Sequence, residues 1–217
     1  MRKDYPVGSD GMQRGVFIVL EGPDGSGKTF HTWALAERLT AEGYDVLQTG
    51  EATTGPVGRE IRRYLTPGQY IAPERLQILF TADRALHLSE IIEPALASGK
   101  IVICDRYIPS TLVYGEASGV DPLWLLELNK KFIQPDFVLF FLPPFSSPLL
   151  HLQERAERDR HELSSLIQER SYALYARYIA EMTIPHATFD TSTPKNVVMQ
   201  QVFAAVQDLL REKFVLL

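Results

Sequence analysis

The chain has 217 residues, 45% hydrophobic and 23% charged, which is typical of one folded domain with a single core. Its net charge of -5 argues against nucleic acid or an anionic membrane as a partner, so phosphate chemistry must come from locally placed arginines. No apolar run is long enough for a membrane span, the polar start is not a secretory signal, and the single cysteine, Cys104, cannot form an intrachain disulfide. These features predict a cytoplasmic protein.

Residues 1–14 are predicted to be a flexible extension, and residues 15–217 a single domain. Met12 stands shortly before the first apolar run. A chain that begins at Met12 is therefore expected to fold and to keep its activity, and loss of either would contradict this expectation.

The segment VFIVLEGPDGSGKTF, residues 16–30, predicts a buried strand, a phosphate-binding loop and the start of a helix. The pattern G-x-x-x-x-G-K-[ST] is met by Gly22, Gly27, Lys28 and Thr29. In this pattern backbone N–H groups surround phosphate oxygens, the lysine reaches the outer phosphates and the hydroxyl binds magnesium. A helix predicted at Thr29–Thr40 would place its N-terminus, which favours anions, at the phosphates.

Apolar runs and helical patterns alternate along the rest of the chain, which indicates an α/β protein with a parallel sheet. Strands are predicted at Val16–Glu21, Asp45–Thr49, Lys100–Cys104, Phe137–Phe141 and His186–Asp190. Further helices are predicted at Gly58–Leu65, Pro73–Ala97, Leu123–Phe132, Leu149–Glu157, Leu163–Met182 and Pro194–Phe214. Ligands of such sheets bind beyond the carboxyl ends of the strands, so residues directly after each strand are the main site candidates.

Two further sets of charged residues are candidates for phosphate chemistry. Asp105 follows four apolar residues and could bind magnesium or orient its waters, and Arg106 could hold phosphoryl oxygens. The alternative for this pair is a structural Asp–Arg contact that caps a strand. Arg155, Arg158 and Arg160 could line a positively charged lid at about residues 151–163, or they could form a solvated helix face.

Taken together, the motifs resemble thymidylate kinases along nearly the whole chain after residue 14. The resemblance is carried by FIVLEGPDGSGKT, ILFTADRALHLSEIIEPALASGKIVICDRYIPSTLVYG, GVDPLWLLELN and QPDFVLFFLPP. It implies a three-layer αβα P-loop kinase fold with a five-stranded parallel sheet and a short lid. It also implies transfer of the γ-phosphoryl group of ATP to the 5′-phosphate of dTMP, with Mg²⁺ as the metal and a homodimer as the assembly.

On the donor side, the resemblance implies that Lys28 and the loop amides hold ATP, while Thr29 and Asp105 bind magnesium. Because the loop carries Gly25 where one class of relatives has an arginine, Arg155 and Arg158 are expected to supply the catalytic charge. The implied ATP-binding residues are Gly22, Pro23, Asp24, Gly25, Ser26, Gly27, Lys28 and Thr29. The implied catalytic residues are Lys28, Asp105, Arg106, Arg155 and Arg158.

On the acceptor side, the resemblance implies that Asp24 contacts the sugar 3′-hydroxyl and Arg106 the acceptor phosphate. Phe80 would stack on thymine and Arg84 would bond its carbonyl edge, although spacing alone favours Phe80 as core packing with other apolar residues of its helix. Tyr114 would crowd the sugar C2′ and Thr111 would face the base. The implied substrate-binding residues are Asp24, Phe80, Arg84, Arg106, Ser110, Thr111 and Tyr114.

Four positions depart from the pattern of the family, and they bear on the acceptor and on catalytic efficiency. Gly50-Glu51-Ala52 replaces an Arg-Glu-Pro run, so a phosphate contact is missing unless an arginine at position 59, 62 or 63 substitutes. Gly115 replaces a base-contacting glutamine, Phe141 an aspartate and Phe30 a hydroxyl residue.

Two alternatives to the thymidylate reaction therefore stay open. One is phosphorylation of another deoxynucleoside monophosphate, or of a deoxynucleoside with Glu21 or Asp105 as the base that takes the proton of the 5′-hydroxyl. The other is a nucleotide-binding module without turnover.

Overall fold

A five-stranded parallel sheet forms the centre of the molecule in a computed structural model that describes residues 14–66, 68–143 and 161–214. The strands pair in the order β2-β3-β1-β4-β5. The prediction of this sheet is confirmed, and each strand begins and ends within one residue of its predicted bounds. The strands are β1 Phe17–Glu21, β2 Val46–Gly50, β3 Ile101–Asp105, β4 Phe137–Phe141 and β5 His186–Phe189.

Helices connect the strands and cover the sheet. The described helices are α1 Lys28–Ala41, α2 Pro56–Leu65, α3 Pro73–His87, α4 Glu93–Ala97, α5 Ile108–Ala117, α6 Pro122–Asn129, α7 His161–Glu181 and α8 Lys195–Phe214. A π-helical turn, Leu88–Ile92, joins α3 to α4, where the sequence predicted one continuous helix. Pro94 has no backbone N–H and its ring crowds the preceding turn, so a regular α-helix cannot run through this segment.

Helix α5 was not predicted from the sequence. Its segment, IPSTLVYGEA, contains three β-branched residues and a glycine, which lowers its intrinsic helix propensity. Packing compensates, because Leu112 and Val113 are buried against the sheet. The helix predicted at Leu149–Glu157 lies outside the described residues, as does most of the proposed lid.

Both faces of the sheet carry a hydrophobic core, so the predicted three-layer arrangement is present. Alternate residues of β1 face opposite sides, with Ile18 in one core and Phe17 in the other. Helices α1 and α8 cover the first core, and α4, α5 and α7 contribute to the second. Cys104 is buried in the second core as a free thiol. No helix in the described part of the chain is long and apolar enough to cross a membrane.

The sheet brings the two candidate segments together at one edge. β1 lies beside β3, and Leu20 pairs in register with Asp105. The residues that follow β1 and β3 are the phosphate loop and the Asp105-Arg106-Tyr107 segment, so they adjoin at the carboxyl edge.

Candidate functional site

The phosphate loop connects β1 to α1, and the lysine at its end hydrogen-bonds back to the loop. Gly22 has a φ of 145°, and a Cβ at this position would lie 2.3 Å from the carbonyl oxygen of Phe141. Lys28 is only 6% exposed, and its Nζ donates a 2.7 Å hydrogen bond to the carbonyl oxygen of Pro23. The loop borders a cavity of about 300 Å³, which we call the phosphate cavity. Its lining residues are Asp24, Gly25, Gly27, Lys28, Thr29, Phe30, Asp105 and Arg106.

Burial disfavours the charged form of the Lys28 ammonium group and so lowers its pKa. Loss of hydration, followed by repulsion from Arg106, lowers the pKa of Lys28 to about 8, although Asp105 and Asp24 oppose this shift. An ammonium group of this kind gains charge partners when polyphosphate enters the cavity.

Thr29 and Asp105 form a pair of oxygen donors suited to a magnesium ion. The Oγ1 atom of Thr29 lies 3.4 Å from Oδ2 of Asp105, and Oδ1 of Asp105 is buried without a hydrogen-bond partner in the described part of the chain. Among the described residues there is no cluster of three or more histidine, cysteine or acidic side chains. A site with few protein ligands fits magnesium, which usually keeps several waters and binds substrate phosphates.

Arg106 lies between the phosphate loop and α5 in a left-handed backbone conformation, with φ at 70°. Its Nη1 donates to the carbonyl oxygen of Gly22 at 3.3 Å and to Oγ of Ser110 at 3.0 Å, while Nη2 donates to the carboxylate of Asp24. Its charge is therefore paired with Asp24, and Asp105 faces Thr29 instead. The structure does not contain the strand-capping Asp105–Arg106 contact that the sequence left open.

A second cavity, of about 440 Å³, lies on the other side of Arg106, and we call it the acceptor cavity. All the predicted substrate-binding residues line it: Asp24, Phe80, Arg84, Arg106, Ser110, Thr111 and Tyr114. Phe80 is half-buried at this wall and belongs to neither core, so the alternative interpretation of Phe80 as core packing does not hold. Asp24 and Arg106 line both cavities. The cavity also includes Glu51, Ala52, Leu65, Leu76, Gln77, Tyr107, Ser118 and Ile167, which the sequence did not assign to it.

Arg84 is fixed by a network that the sequence did not reveal. Its Nε and Nη2 donate to Oε2 of Glu51 at 3.0 and 2.7 Å, Nη2 also donates to Oγ1 of Thr111 at 2.9 Å, and Nη1 donates to Oδ1 of Asn129. A guanidinium has five N–H donors, so one stays without a partner among the described residues. Glu51 directly follows β2, and the rule of polar residues at strand ends could have identified it.

Glu21, the last residue of β1, is a buried carboxylate that links this strand to α5 and α7. It accepts hydrogen bonds from the backbone N–H groups of Tyr107 and Ser110 at 2.8 and 3.1 Å, and thereby caps the N-terminus of α5. The hydroxyl groups of Ser110 and Tyr175 also donate to it, at 2.6 and 3.1 Å. Burial raises the pKa of the Glu21 carboxyl, against the opposing charge of Arg106. With its oxygens occupied and no exposed surface, Glu21 cannot be the base of a nucleoside kinase.

The contact missing at Gly50 is not replaced by Arg59, Arg62 or Arg63 in this structure, because none of them lines the acceptor cavity. A Cβ on Gly50 would lie 2.9 Å from the carbonyl oxygen of Asp105, so β2 and β3 approach closely there. Arg62 contacts the loop that lines the acceptor cavity, where its Nη2 donates to the carbonyl oxygen of Ala52 at 2.6 Å. Arg63 pairs with Glu60 instead. Arg59 donates to the carbonyl oxygen of Thr54 at 2.9 Å.

Of the two aromatic departures, Phe141 is explained by packing, whereas Phe30 is an exposed side chain. Phe141 is fully buried, with its ring stacked on His31 at a centroid distance of 4.9 Å and tilted against Phe189 at 5.5 Å. It belongs to a core and not to a cavity. Phe30 lines the phosphate cavity, and Nζ of Lys195 lies 4.9 Å from the centre of its ring. The lid arginines Arg155, Arg158 and Arg160 lie outside the described residues.

Comparisons with known proteins point to one family. The model of the thymidylate kinase family matches residues 20–202. A probable thymidylate kinase of Thermococcus kodakarensis is 37% identical over 210 residues, which cover 91% of this chain and 100% of the relative. One from Pyrococcus horikoshii is 40% identical over 182 residues, or 80% and 89% of the two chains. A thymidylate kinase of Thermomicrobium roseum is 36% identical over 203 residues, or 90% and 96%.

Proposed function

Since this chain belongs to the thymidylate kinase family, we propose that its two adjoining cavities hold ATP and dTMP for direct transfer between them. The enzyme phosphorylates dTMP with ATP and forms dTDP and ADP. An oxygen of the dTMP phosphate attacks the γ-phosphorus, the bond from this phosphorus to the bridging oxygen breaks, and ADP leaves. The observation that carries the proposal is that Asp24 and Arg106 line both cavities, so the two phosphates can meet at this shared wall.

On the donor side, we assign the ATP phosphates to the loop Gly22–Thr29. Lys28 would exchange its bond to the Pro23 carbonyl for phosphate oxygens. Thr29 and the unpartnered oxygen of Asp105 would hold Mg²⁺, which neutralises developing negative charge when it is bound. The protein residues then act chiefly by positioning the donor and excluding water.

On the acceptor side, the cavity suits a pyrimidine nucleotide. The ring of Phe80 offers a stacking surface, and the remaining N–H of Arg84 can bond a base carbonyl. Arg106 donates to Gly22, Ser110 and Asp24 and also hydrogen-bonds Tyr114, which leaves one of its five N–H groups to bind the acceptor phosphate. Asp24 is 60% exposed at its side chain and can accept a bond from the sugar 3′-hydroxyl.

The alternative reaction, phosphorylation of a nucleoside, is less well supported. It requires a base near the sugar 5′-oxygen. Glu21 is buried and fully hydrogen-bonded, and Asp105 lines the phosphate cavity and not the acceptor cavity. The test is release of ADP from ATP and Mg²⁺ across a panel of deoxynucleosides and deoxynucleoside monophosphates. We expect release that depends on dTMP. Release that depends on a nucleoside, or ATP binding without any release, would contradict the proposal.

We further propose that Arg155 and Arg158 of the lid supply catalytic charge. The support is Gly25, because the loop carries no arginine of its own. Replacement of either arginine by alanine should lower kcat far more than it weakens ATP binding. Unchanged kcat in both variants would contradict the assignment.

The assembly and the compartment are also proposals. A cytoplasmic location is supported by Cys104, a buried free thiol. A homodimer is supported by exposed apolar side chains on α3, the π-helical turn and α6.

A further inference from the structure

The side-chain amide of Gln77 has a buried oxygen that has no hydrogen-bond partner among the described residues. The residue is 3% exposed and lines the acceptor cavity, and its Oε1 makes no hydrogen bond within the described residues. Neighbouring Arg84, by contrast, is bonded to Glu51 and Thr111. Buried amides are almost always hydrogen-bonded, because an unpaired one loses its hydration without compensation. This exception beside an open cavity points to a missing ligand.

The position of Gln77 places its amide beside the residues proposed to bind the base. Gln77, Phe80 and Arg84 are spaced by three and four residues along α3, so they share one face of the helix. All three line the acceptor cavity. An amide on this face therefore lies along the same wall as the stacking ring and the guanidinium.

The opposite wall leaves room for this amide because residue 115 is a glycine. A Cβ on Gly115 would lie 2.7 and 3.0 Å from the two δ-carbons of Leu125 and 3.4 Å from Cδ of Gln77. A larger residue at this position would press on both side chains. Leu125 and the Gln77 amide thus occupy the space that a side chain at position 115 would need.

We propose that the Gln77 amide binds the imide edge of thymine and is a specificity-determining residue of the acceptor cavity. This inference rests on the proposed function, because it takes the cavity as the dTMP site. The imide edge presents one N3–H donor flanked by carbonyl oxygens. Arg84 can only donate, and so can bond a carbonyl, whereas the Gln77 amide can accept from N3–H and donate to a carbonyl. The two side chains together match this edge.

The test compares dTMP with N3-methyl-dTMP, which lacks the N3–H donor, at saturating ATP and Mg²⁺. In Gln77→Met, kcat/KM for dTMP should fall at least about tenfold, mainly through KM. The value for N3-methyl-dTMP should change less than about twofold, so the preference for dTMP should fall at least about tenfold. A matched control is Gln201→Met, the same change at an exposed position of α8, which should leave all values unchanged.

The ratio of the two acceptors separates binding of the base edge from a structural role. A structural role would lower kcat/KM for both acceptors equally, and an unchanged preference in Gln77→Met would overturn the inference. Gln77→Asn, which withdraws the amide by one methylene, gives the same test if the methionine variant folds poorly. If the wild-type enzyme does not turn over dTMP at all, the proposed function fails instead. In an active enzyme, KM for ATP should be the same in wild type and in every variant, because Gln77 does not line the phosphate cavity.

Discussion

At the level of single residues, Lys28 is expected to make ATP binding depend on pH. Its pKa is lowered to about 8, so the free enzyme loses this positive charge as pH rises through about 8. Because bound phosphates require the charged form, ATP affinity should fall up to about tenfold per pH unit above that value. Titrations of ATP from pH 6.5 to 9.5 check this. Lys28→Arg keeps its charge over the whole range, so its affinity should not decline, and a parallel decline in both proteins would contradict the explanation.

The same pKa affects stability in the opposite direction. An unfolded lysine has a pKa of about 10.4, so between about 8 and about 10.4 the unfolded chain binds more protons than the folded one. Lys28 alone should therefore make the free energy of unfolding rise with pH in this window. Comparison of urea unfolding of wild type and Lys28→Met across the window checks the sign. An equal pH dependence in the two proteins would contradict it.

Asp105 tests the proposed metal site. Asp105→Asn removes the charge of the carboxylate beside Thr29, of which Oδ1 has no partner among the described residues, and a metal contact of this type contributes several kcal/mol to phosphoryl transfer. We expect kcat to fall about a hundredfold or more and the Mg²⁺ requirement to increase. Thr29→Ser keeps the hydroxyl and should stay near wild type. ATP affinity without Mg²⁺, measured by calorimetry, should be unaffected by Asp105→Asn, and an unaltered Mg²⁺ requirement would count against the site.

At the scale of elements, α7 is tied to the phosphate loop by one buried hydroxyl. Tyr175 is fully buried, and its OH lies 3.1 Å from Oε2 of Glu21 and 3.2 Å from the carbonyl oxygen of Gly22. Tyr175→Phe leaves these oxygens with one donor fewer, so the free energy of unfolding should fall by about 1–3 kcal/mol. Tyr178→Phe is the control. Its hydroxyl bonds Glu116 at 2.7 Å, beside a partly exposed ion pair, and its loss should cost less. Urea unfolding that ranks the two variants the other way would refute this account.

The elements also show what could be read from the chain alone. Strands β1, β3 and β4 were predicted closely because each is a short run in which β-branched and aromatic residues predominate. Helix α5 was missed because its first turn is capped by a distant residue. Glu21, which accepts a hydrogen bond from the backbone N–H of Tyr107, lies 86 positions earlier in the chain. The positions of Phe80, Arg84 and Thr111 in one cavity followed from resemblance and not from spacing, which favoured core packing for Phe80. The partners of Arg84 depend on contacts between distant segments, which periodicity does not encode.

At the scale of the whole molecule, the exposed apolar side chains of α3, the π-helical turn and α6 support a homodimer. They are Ile78, Leu86, Ile91, Leu123 and Leu126, which are 40–70% exposed. The wild-type protein should sediment as a dimer at micromolar concentration. Leu86→Glu should raise the dissociation constant by about a hundredfold or more, because a charge would be buried in the interface. Trp33→Gln, at an exposed site on α1, should remain dimeric, and a monomeric wild type would contradict the proposal.

The wall formed by Asp24 and Arg106 has a consequence for how the two nucleotides bind. With the two nucleotides in the cavities as proposed, a shift of Arg106 toward an incoming phosphate on one side would change the field on the other side, because one ion pair borders both cavities. The two binding equilibria are then coupled, and the factor by which ATP alters the affinity for dTMP must equal the factor by which dTMP alters the affinity for ATP. An affinity measured for either nucleotide alone differs from its affinity in the ternary complex by this factor.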